Sequence, residues 1–161
     1  MALHIELYTD GAALGNPGPG GYGIILKSGQ HEKEMSGGFR LTTNNRMELL
    51  AVILGLESIK IAQSRVDVYS DSKYVVDAVN LKWVFGWERK GFAKKKNPDL
   101  WMRFLQIYRK HQVQLHWIKG HNGHVFNERC DKLSVDAAHQ PNLPVDTGYE
   151  NMNSGLFFEQ E

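Results

Sequence analysis

Hydrophobic and polar side chains alternate along the first part of the chain. In residues 3–9, LHIELYT, every second position from Leu3 to Leu7 is apolar, so the apolar side chains lie on one face. This alternation is the period of a half-buried strand. Residues 22–27 and 32–41 have a similar β-rich composition and are separated by short turns. Because strands joined by short turns pair antiparallel, this part of the chain is predicted to form a three-stranded antiparallel meander.

Farther along the chain, the apolar positions change to helical spacing. Apolar residues within 45–60 recur every three or four positions, which predicts a helix facing the core: Leu49, Val52, Ile53, Leu56 and Ile59. The rest of the pattern predicts strands at residues 66–70 and 113–118 and helices at residues 72–79, 99–110 and 127–138. Residues 81–97 show no regular period and are predicted to be irregular.

The predicted order of elements, βββαβααβα, defines the fold class. Each of the last two strands is reached through a helix, and crossovers of this kind join parallel strands. The sequence therefore predicts an α/β fold with a mixed five-stranded sheet. In this sheet the antiparallel meander continues into parallel strands, and helices flank the faces.

The length of 161 residues indicates one domain. The pattern runs without a linker to residue 140 and then becomes polar, with Pro141 and Pro144. We predict a single domain over residues 1–140 and an acidic C-terminal tail over residues 141–161. The single cysteine excludes an internal disulfide and a cysteine-based zinc cluster.

Two further features of the sequence bear on location and assembly. No apolar run is long enough to cross a membrane, and the N-terminus lacks a secretory pattern. We therefore expect a cytoplasmic protein without a membrane partner. Nothing in the pattern calls for a dimer, so a monomer is expected.

The net charge of +1 conceals an uneven distribution. Every lysine and arginine lies before residue 140, whereas residues 140–161 carry four acids and no base. Within residues 82–103, seven basic residues alternate with aromatic ones, including Trp83 and Trp87. Such a mixture attracts phosphates and stacks on sugars or bases, which indicates a nucleic-acid partner. The alternative is a solvated charge run beside tryptophans of the core.

Four acids lie where predicted elements meet. Asp10 and Asp71 end strands, and Glu48 and Asp131 lie in the first turns of helices. Taken singly, these helix positions also suit caps or a favourable charge at the helix dipole. Taken together, acids at the carboxyl ends of neighbouring strands predict a site for a hard divalent cation, Mg²⁺ or Mn²⁺.

The glycine-rich run from Gly18 to Gly23 matches a dinucleotide-binding fingerprint by its letters. That fingerprint has to open a helix, but here it leads into a β-rich segment. We therefore reject the dinucleotide site and predict a tight turn between strands.

Five motifs occur in a fixed order along the chain: YTDG at 8–11, GNPGPGGYG at 15–23, TTNNRMEL at 42–49, DSKYV at 71–75, and KGH at 119–121 with NERCD at 127–131. Together they resemble type 1 ribonuclease H, the bacterial ribonuclease HI family. The resemblance implies an endonuclease that cuts the RNA strand of RNA–DNA hybrids and leaves 5′-phosphate and 3′-hydroxyl ends. Residues 1–140 would then be the catalytic domain.

The resemblance also implies the roles of individual residues. The catalytic and metal-binding acids fall on Asp10, Glu48, Asp71 and Asp131, which would hold two Mg²⁺ ions, with Mn²⁺ as a substitute. A loop histidine that assists proton movement or product release falls on His121.

Eight further positions match substrate-binding residues of the family. Asn16, Asn44 and Asn45 match minor-groove contacts, Tyr74 and Trp83 match aromatics along the DNA sugars, and Thr43 and Asn97 match a DNA phosphate pocket. Lys73 stands where relatives often carry Gln, and a cation there favours phosphate contact. Leu41 stands where relatives often carry Arg, and the neighbouring Arg40 is expected to point away, which would weaken the pocket.

Other functions remain as alternatives. A proofreading exonuclease requires Asp-x-Glu on the first strand, but here Asp10 precedes Gly11 and Ala12. A non-catalytic hybrid-binding module would be expected to lack at least one of the four acids. The tail sequence Leu156, Phe157 and Phe158 loosely resembles peptides that bind sliding clamps, and we keep a clamp contact as a weak hypothesis.

Overall fold

The computed structural model describes residues 3–120 and 122–152 and contains a mixed five-stranded sheet. The strands are β1 (His4–Ala13), β2 (Gly18–Ser28), β3 (His31–Thr42), β4 (Arg65–Ser70) and β5 (Gln112–Trp117). Their spatial order is β3-β2-β1-β4-β5. The pairs β1–β2 and β2–β3 are antiparallel, and the pairs β1–β4 and β4–β5 are parallel. The predicted α/β fold with a mixed sheet is confirmed.

The helices that flank the sheet are α1 (Asn44–Glu57), α2 (Lys73–Asn80), α3 (Trp83–Arg89), α4 (Pro98–Tyr108) and α5 (Val125–Ala138). The prediction of irregular structure over residues 81–97 is wrong, because α3 lies within it and adds a helix to the predicted order. This helix has seven residues and buries only Val84 completely, so its apolar period is too short to recognise. Among the described residues, no helix is long and apolar enough to cross a membrane.

Helix α1 forms the centre of the hydrophobic core. Leu49, Val52, Ile53 and Leu56 are fully buried, and the helix packs between the sheet and α4. Burying each such side chain contributes about 1.5–3 kcal/mol. The packing of α1 in the core matters for function because Glu48 lies in the first two turns of this helix.

Helix α5 covers the opposite face of the sheet and packs closely on β2. A Cβ atom on Gly23 would lie 2.8 Å from the Cβ of Leu133, so only glycine permits this approach. The predicted tight turn over residues 18–23 is wrong, since this run forms the first part of β2. Its glycines bring α5, which carries Asp131, against the sheet.

Residues 141–152, predicted as part of an extended tail, lie against the domain. The Asp146 carboxylate is buried and accepts hydrogen bonds from Thr42 Oγ1 at 2.7 Å and Arg46 Nε at 2.8 Å. Arg46 is 2% exposed and also forms a bidentate pair with Asp99. Residues 147–152 are helical. The polar composition of this segment therefore reflects ion pairs with the domain.

Loss of the Asp146 carboxylate should destabilise the protein. The Asp146→Asn variant leaves the buried Arg46 charge only partly paired, and breaking a buried ion pair costs about 3 kcal/mol. The matched change Glu150→Gln breaks the exposed pair with Arg40 and should cost less than about 1 kcal/mol. Urea unfolding of both variants measures the two free energies. Equal losses would show that the Asp146 contact does not hold the segment in place.

Candidate active site

The four predicted acids meet at one edge of the sheet. Asp10 lies in β1, Asp71 directly follows β4, Glu48 is in α1 and Asp131 is in α5. Carboxylate oxygens of Asp10, Glu48 and Asp71 all lie within 4.8 Å of one another. Asp131 lines the same open cavity of about 420 Å³. Parallel strands end at a common edge, and this brings together residues that are distant in the sequence.

Capping does not explain these acids. The N-caps of α1, α2 and α5 are Thr43, Ser72 and His124, whose side chains accept hydrogen bonds from backbone N–H groups. The helices are therefore capped by other residues, so capping does not account for the positions of the carboxylates.

Gly11 allows the carboxylates of β1 and α1 to approach each other. Its backbone N–H donates to Glu48 Oε1 at 2.6 Å and to the Asp10 carboxylate at 2.9 Å. A Cβ atom on Gly11 would lie 2.8 Å from the Cβ of Met47. Because any larger residue would push α1 away, the Asp-Gly dipeptide places Glu48 beside Asp10.

Burial and mutual repulsion make the carboxylates costly to ionise. Burial, together with the charges of Asp71 and Asp131, raises the pKa of Asp10 to about 7, although hydrogen bonds with Glu48 and Gly11 oppose the shift. Burial and then the neighbouring Asp10 raise the pKa of Glu48 well above its ordinary value. A bound cation relieves both effects, because it compensates the charge that burial and repulsion disfavour.

The donor set fits a hard divalent cation. Glu48 Oε2 is buried and has no hydrogen-bond partner among the described residues. A buried oxygen without a partner costs free energy unless a ligand satisfies it. Oxygen ligands from several carboxylates suit Mg²⁺ or Mn²⁺, so the residues present could hold such a metal at this edge.

The eight predicted substrate residues line three adjoining cavities. Asn44, Asn45, Lys73 and Tyr74 lie beside the acids. A second cavity of about 400 Å³ is lined by Asn16, Thr43, Asn45 and Asn97, and a third of about 370 Å³ by Tyr74 and Trp83. The second and third cavities share Lys96. All eight residues therefore lie on one continuous surface beside the acids.

The family model for ribonuclease H matches residues 3–139. The chain belongs to the ribonuclease H family. The Ribonuclease H of Trichodesmium erythraeum is 53% identical over 151 residues, which cover 91% of this chain and 96% of the relative. The Ribonuclease H of Desulforamulus reducens is 54% identical over 147 residues, which cover 88% and 92%. The family resemblance of the five motifs is thus confirmed.

Solved structures of ribonucleases H share the fold. LC9-RNase H1, described as a type 1 RNase H with the type 2 active-site motif, is 32% identical with a TM-score of 0.78. The match covers 94% of this chain and 81% of that chain. LC11-RNase H1, solved in complex with an RNA/DNA hybrid, is 28% identical with a TM-score of 0.60 and coverages of 83% and 96%.

Hydrogen bonds fix the side chains of the cavities next to the acids. Asn97 Nδ2 and Trp101 Nε1 both donate to the hydroxyl of Tyr74, at 3.0 and 2.9 Å. Asn97 adopts a left-handed backbone conformation with φ of 60°, which asparagine tolerates. Its side chain donates to Tyr74 and accepts from Arg46, and it makes no cap hydrogen bond to α4.

The second cavity has a different set of cations from the family pattern. Leu41 is 36% exposed, and Arg40 forms a bidentate pair with Glu150. Lys96 is the lysine that lines this cavity. Arg46 also lines it, but its guanidinium is engaged by Asp99 and Asp146. The sequence did not predict that Arg46 would pair with Asp99 and Asp146. The signal that it offered was an arginine in an otherwise apolar helix.

Two predicted features lie outside the described residues. His121 is one, and the tail residues Leu156, Phe157 and Phe158 are the other. Cys130 is fully buried, and burial raises its pKa.

The metal-free protein should lose stability as the pH rises. Asp10 has a pKa near 4 in an unfolded chain and about 7 in the folded protein, so the folded state binds more protons between these values. The contribution of Asp10 to the free energy of unfolding therefore falls through this window, by about 4 kcal/mol. In chelator, the free energy of unfolding of Asp10→Asn should therefore decrease less than that of wild type between pH 4.5 and 7.5.

Urea titrations at several pH values measure this difference. Asp136→Asn, which changes an exposed acid, is the matched control and should follow wild type. Added Mg²⁺ should reduce the decrease in wild type and have little effect on Asp10→Asn. Parallel pH curves for wild type and Asp10→Asn would contradict the electrostatic account of the site.

Proposed function

We propose that the protein is an endonuclease that hydrolyses the RNA strand of RNA–DNA hybrids and leaves 5′-phosphate and 3′-hydroxyl ends. The observation that carries the proposal is the convergence of three carboxylates within 4.8 Å, beside Asp131 and a surface of polar, basic and aromatic residues. A hybrid substrate is supported by LC11-RNase H1, a relative whose structure contains an RNA/DNA hybrid.

Asp10, Glu48, Asp71 and Asp131 would hold two Mg²⁺ ions, for which Mn²⁺ is a substitute. Held by these carboxylates, the cations would supply Lewis-acid chemistry to the attacking water and to the leaving oxygen of the phosphodiester. The chain supplies the ligands in a fixed arrangement: Gly11 N–H holds one oxygen of Glu48, and the other oxygen is left for a ligand. Ligands held in place before binding reduce the reorganisation that the reaction requires.

The surface beside the acids would distinguish and orient the two strands. Asn16, Asn44 and Asn45 carry amides, which can donate to and accept from the 2′-hydroxyl groups and base edges of a minor groove. Tyr74 and Trp83 offer aromatic faces to the sugars of the DNA strand, and Thr43 and Asn97 form a pocket for one of its phosphates. Lys94, Lys95 and Lys96 supply positive charge that attracts the hybrid backbone.

Several assignments remain predictions in this proposal. His121 is assigned to proton movement or product release. The domain boundary near residue 140, the monomeric state, the cytoplasmic location and the clamp contact of the tail are further predictions.

Substitution of Asp10 should abolish cleavage. The Asp10→Asn variant lacks one charge of the metal-binding set, and a loss of several kcal/mol of transition-state stabilisation lowers the rate about 1,000-fold or more. A labelled RNA–DNA hybrid with Mg²⁺ is the substrate, beside the same RNA as a single strand and as an RNA duplex. Wild type should cut only the RNA of the hybrid, and chelator should stop the reaction.

The end groups test the chemistry separately. Labelling of the products by a kinase only after phosphatase treatment would demonstrate 5′-phosphates. Salt-dependent binding of the hybrid without cleavage would instead make the protein a binding module. Equal cleavage of the RNA duplex would contradict the hybrid specificity.

The lysines of the third cavity should control the salt dependence of binding. Changing Lys94, Lys95 and Lys96 to Gln should lower the slope of log K against log salt concentration by about 0.9 for each phosphate that a lysine no longer neutralises. The matched control changes Lys27, Lys33 and Lys60 to Gln, because these lysines line a cavity near the beginning of β1. Fluorescence anisotropy with a hybrid in chelator measures both slopes. An equal decrease in the control would show that only net charge matters.

A further inference from the structure

Trp117 lies at the edge of the candidate active site, and the family motifs assign it no role. It ends β5 opposite Ser70 of β4, and the residue after it, Ile118, donates its backbone N–H to the carbonyl of Ser70 at 2.9 Å. The parallel pairing therefore carries Trp117 to the same edge as Asp71. The indole is 44% exposed, so it faces the solvent beside the acids.

Two contacts attach the indole to the beginning of α2. Trp117 Nε1 donates to the backbone carbonyl of Asp71 at 3.1 Å. The ammonium of Lys73, the first residue of α2, lies 4.8 Å from the centre of the indole ring. This distance is typical of a cation–π interaction, and tryptophan is the best aromatic partner for it. The indole thus contacts the residues on both sides of Ser72.

The position of the Lys73 charge matters because Lys73 lines the same cavity as the four acids. A lysine has a flexible stem with three N–H donors, so its charge can take many positions near such a site. Contact with a ring face holds the ammonium without using a carboxylate as its partner. The donors that point away from the ring are then available to an anion in the cleft.

We propose that Trp117 is a positioning residue, which holds the ammonium of Lys73 at the cleft so that it binds a phosphate of the RNA strand next to the bond that is cut. The proposal rests on the proposed function, because it places an RNA strand over the four carboxylates. It adds a specific source of affinity: a cation next to the acidic centre, oriented by the end of a neighbouring strand.

The test compares Trp117→Phe with Trp117→Leu. Both variants lose the indole N–H and its hydrogen bond to Asp71, but only phenylalanine keeps an aromatic face for Lys73. We expect the Kd for a hybrid, measured by anisotropy in chelator at low salt, to be about two- to fivefold higher for the Leu variant than for the Phe variant. With Mg²⁺, the same ratio should appear in KM, with kcat similar in the two variants.

Lys73→Gln is the second arm of the experiment. In that background the Phe and Leu variants should have equal Kd values, because no ammonium remains to be held. Lys73→Gln alone should lower the slope of log K against log salt by the amount expected for about one phosphate. Circular dichroism verifies folding, and Trp117→Tyr and Trp117→Met replace the Phe and Leu variants if either of those misfolds.

Each outcome separates the two proposals. Equal Kd values for the Phe and Leu variants, or a ratio that Lys73→Gln leaves unchanged, would overturn the role of Trp117 while wild type still cuts hybrids. A ratio that Lys73→Gln abolishes, in a protein that binds but does not cut hybrids, would overturn the proposed catalysis and keep the contact. Equal Kd values with a kcat lowered to the same extent in both variants would indicate that Trp117 acts through its hydrogen bond to Asp71 and would overturn the role assigned to Lys73.

Discussion

The structure depends on bringing like charges together at a place where water is largely excluded. Asp10 and Glu48 are 5% and 7% exposed, and burial together with the neighbouring charges raises the cost of ionising both of them. Folding alone does not favour such an arrangement. A bound divalent cation would offset this cost, because the carboxylate oxygens that repel one another would then be its ligands. The free energy for assembling the carboxylates therefore has to come from the rest of the molecule.

That free energy comes from both sides of the sheet. Helix α1 packs its apolar side chains between the sheet and α4 and carries Glu48 to Asp10, with Gly11 leaving room for the approach. Helix α5 packs against the glycines of β2 and carries Asp131 to the same edge. The buried Arg46 joins α1 to α4 and to residues 141–152 through Asp99 and Asp146. These contacts make the backbone around the carboxylates rigid.

Charge is divided in space between the centre and its surroundings. Carboxylates occupy the edge of the sheet, and lysines and aromatic rings line the adjoining cavities. In the proposed function, these surroundings would attract a polyanionic substrate, which would meet the acids at the bond that is cut. Contacts between lysines and indole rings, Lys73 with Trp117 and Lys95 with Trp87, place cations along this boundary.

The sequence alone predicted the mixed sheet, helices α1, α2, α4 and α5, and the acids that the structure brings to one edge of the sheet. Alternation and helical spacing depend on residues that are close in the sequence, so the sequence shows them directly. The motifs contain the four acids in a fixed order. Helix α3 and the strand at Gly18–Gly23 were not predicted, because short or glycine-rich segments take their conformation from packing. The pairing of Arg46 with Asp146 and the contact of Trp117 with Lys73 were decided only by the tertiary structure. Those partners are 100 and 44 residues apart, and no local period records which distant side chains meet.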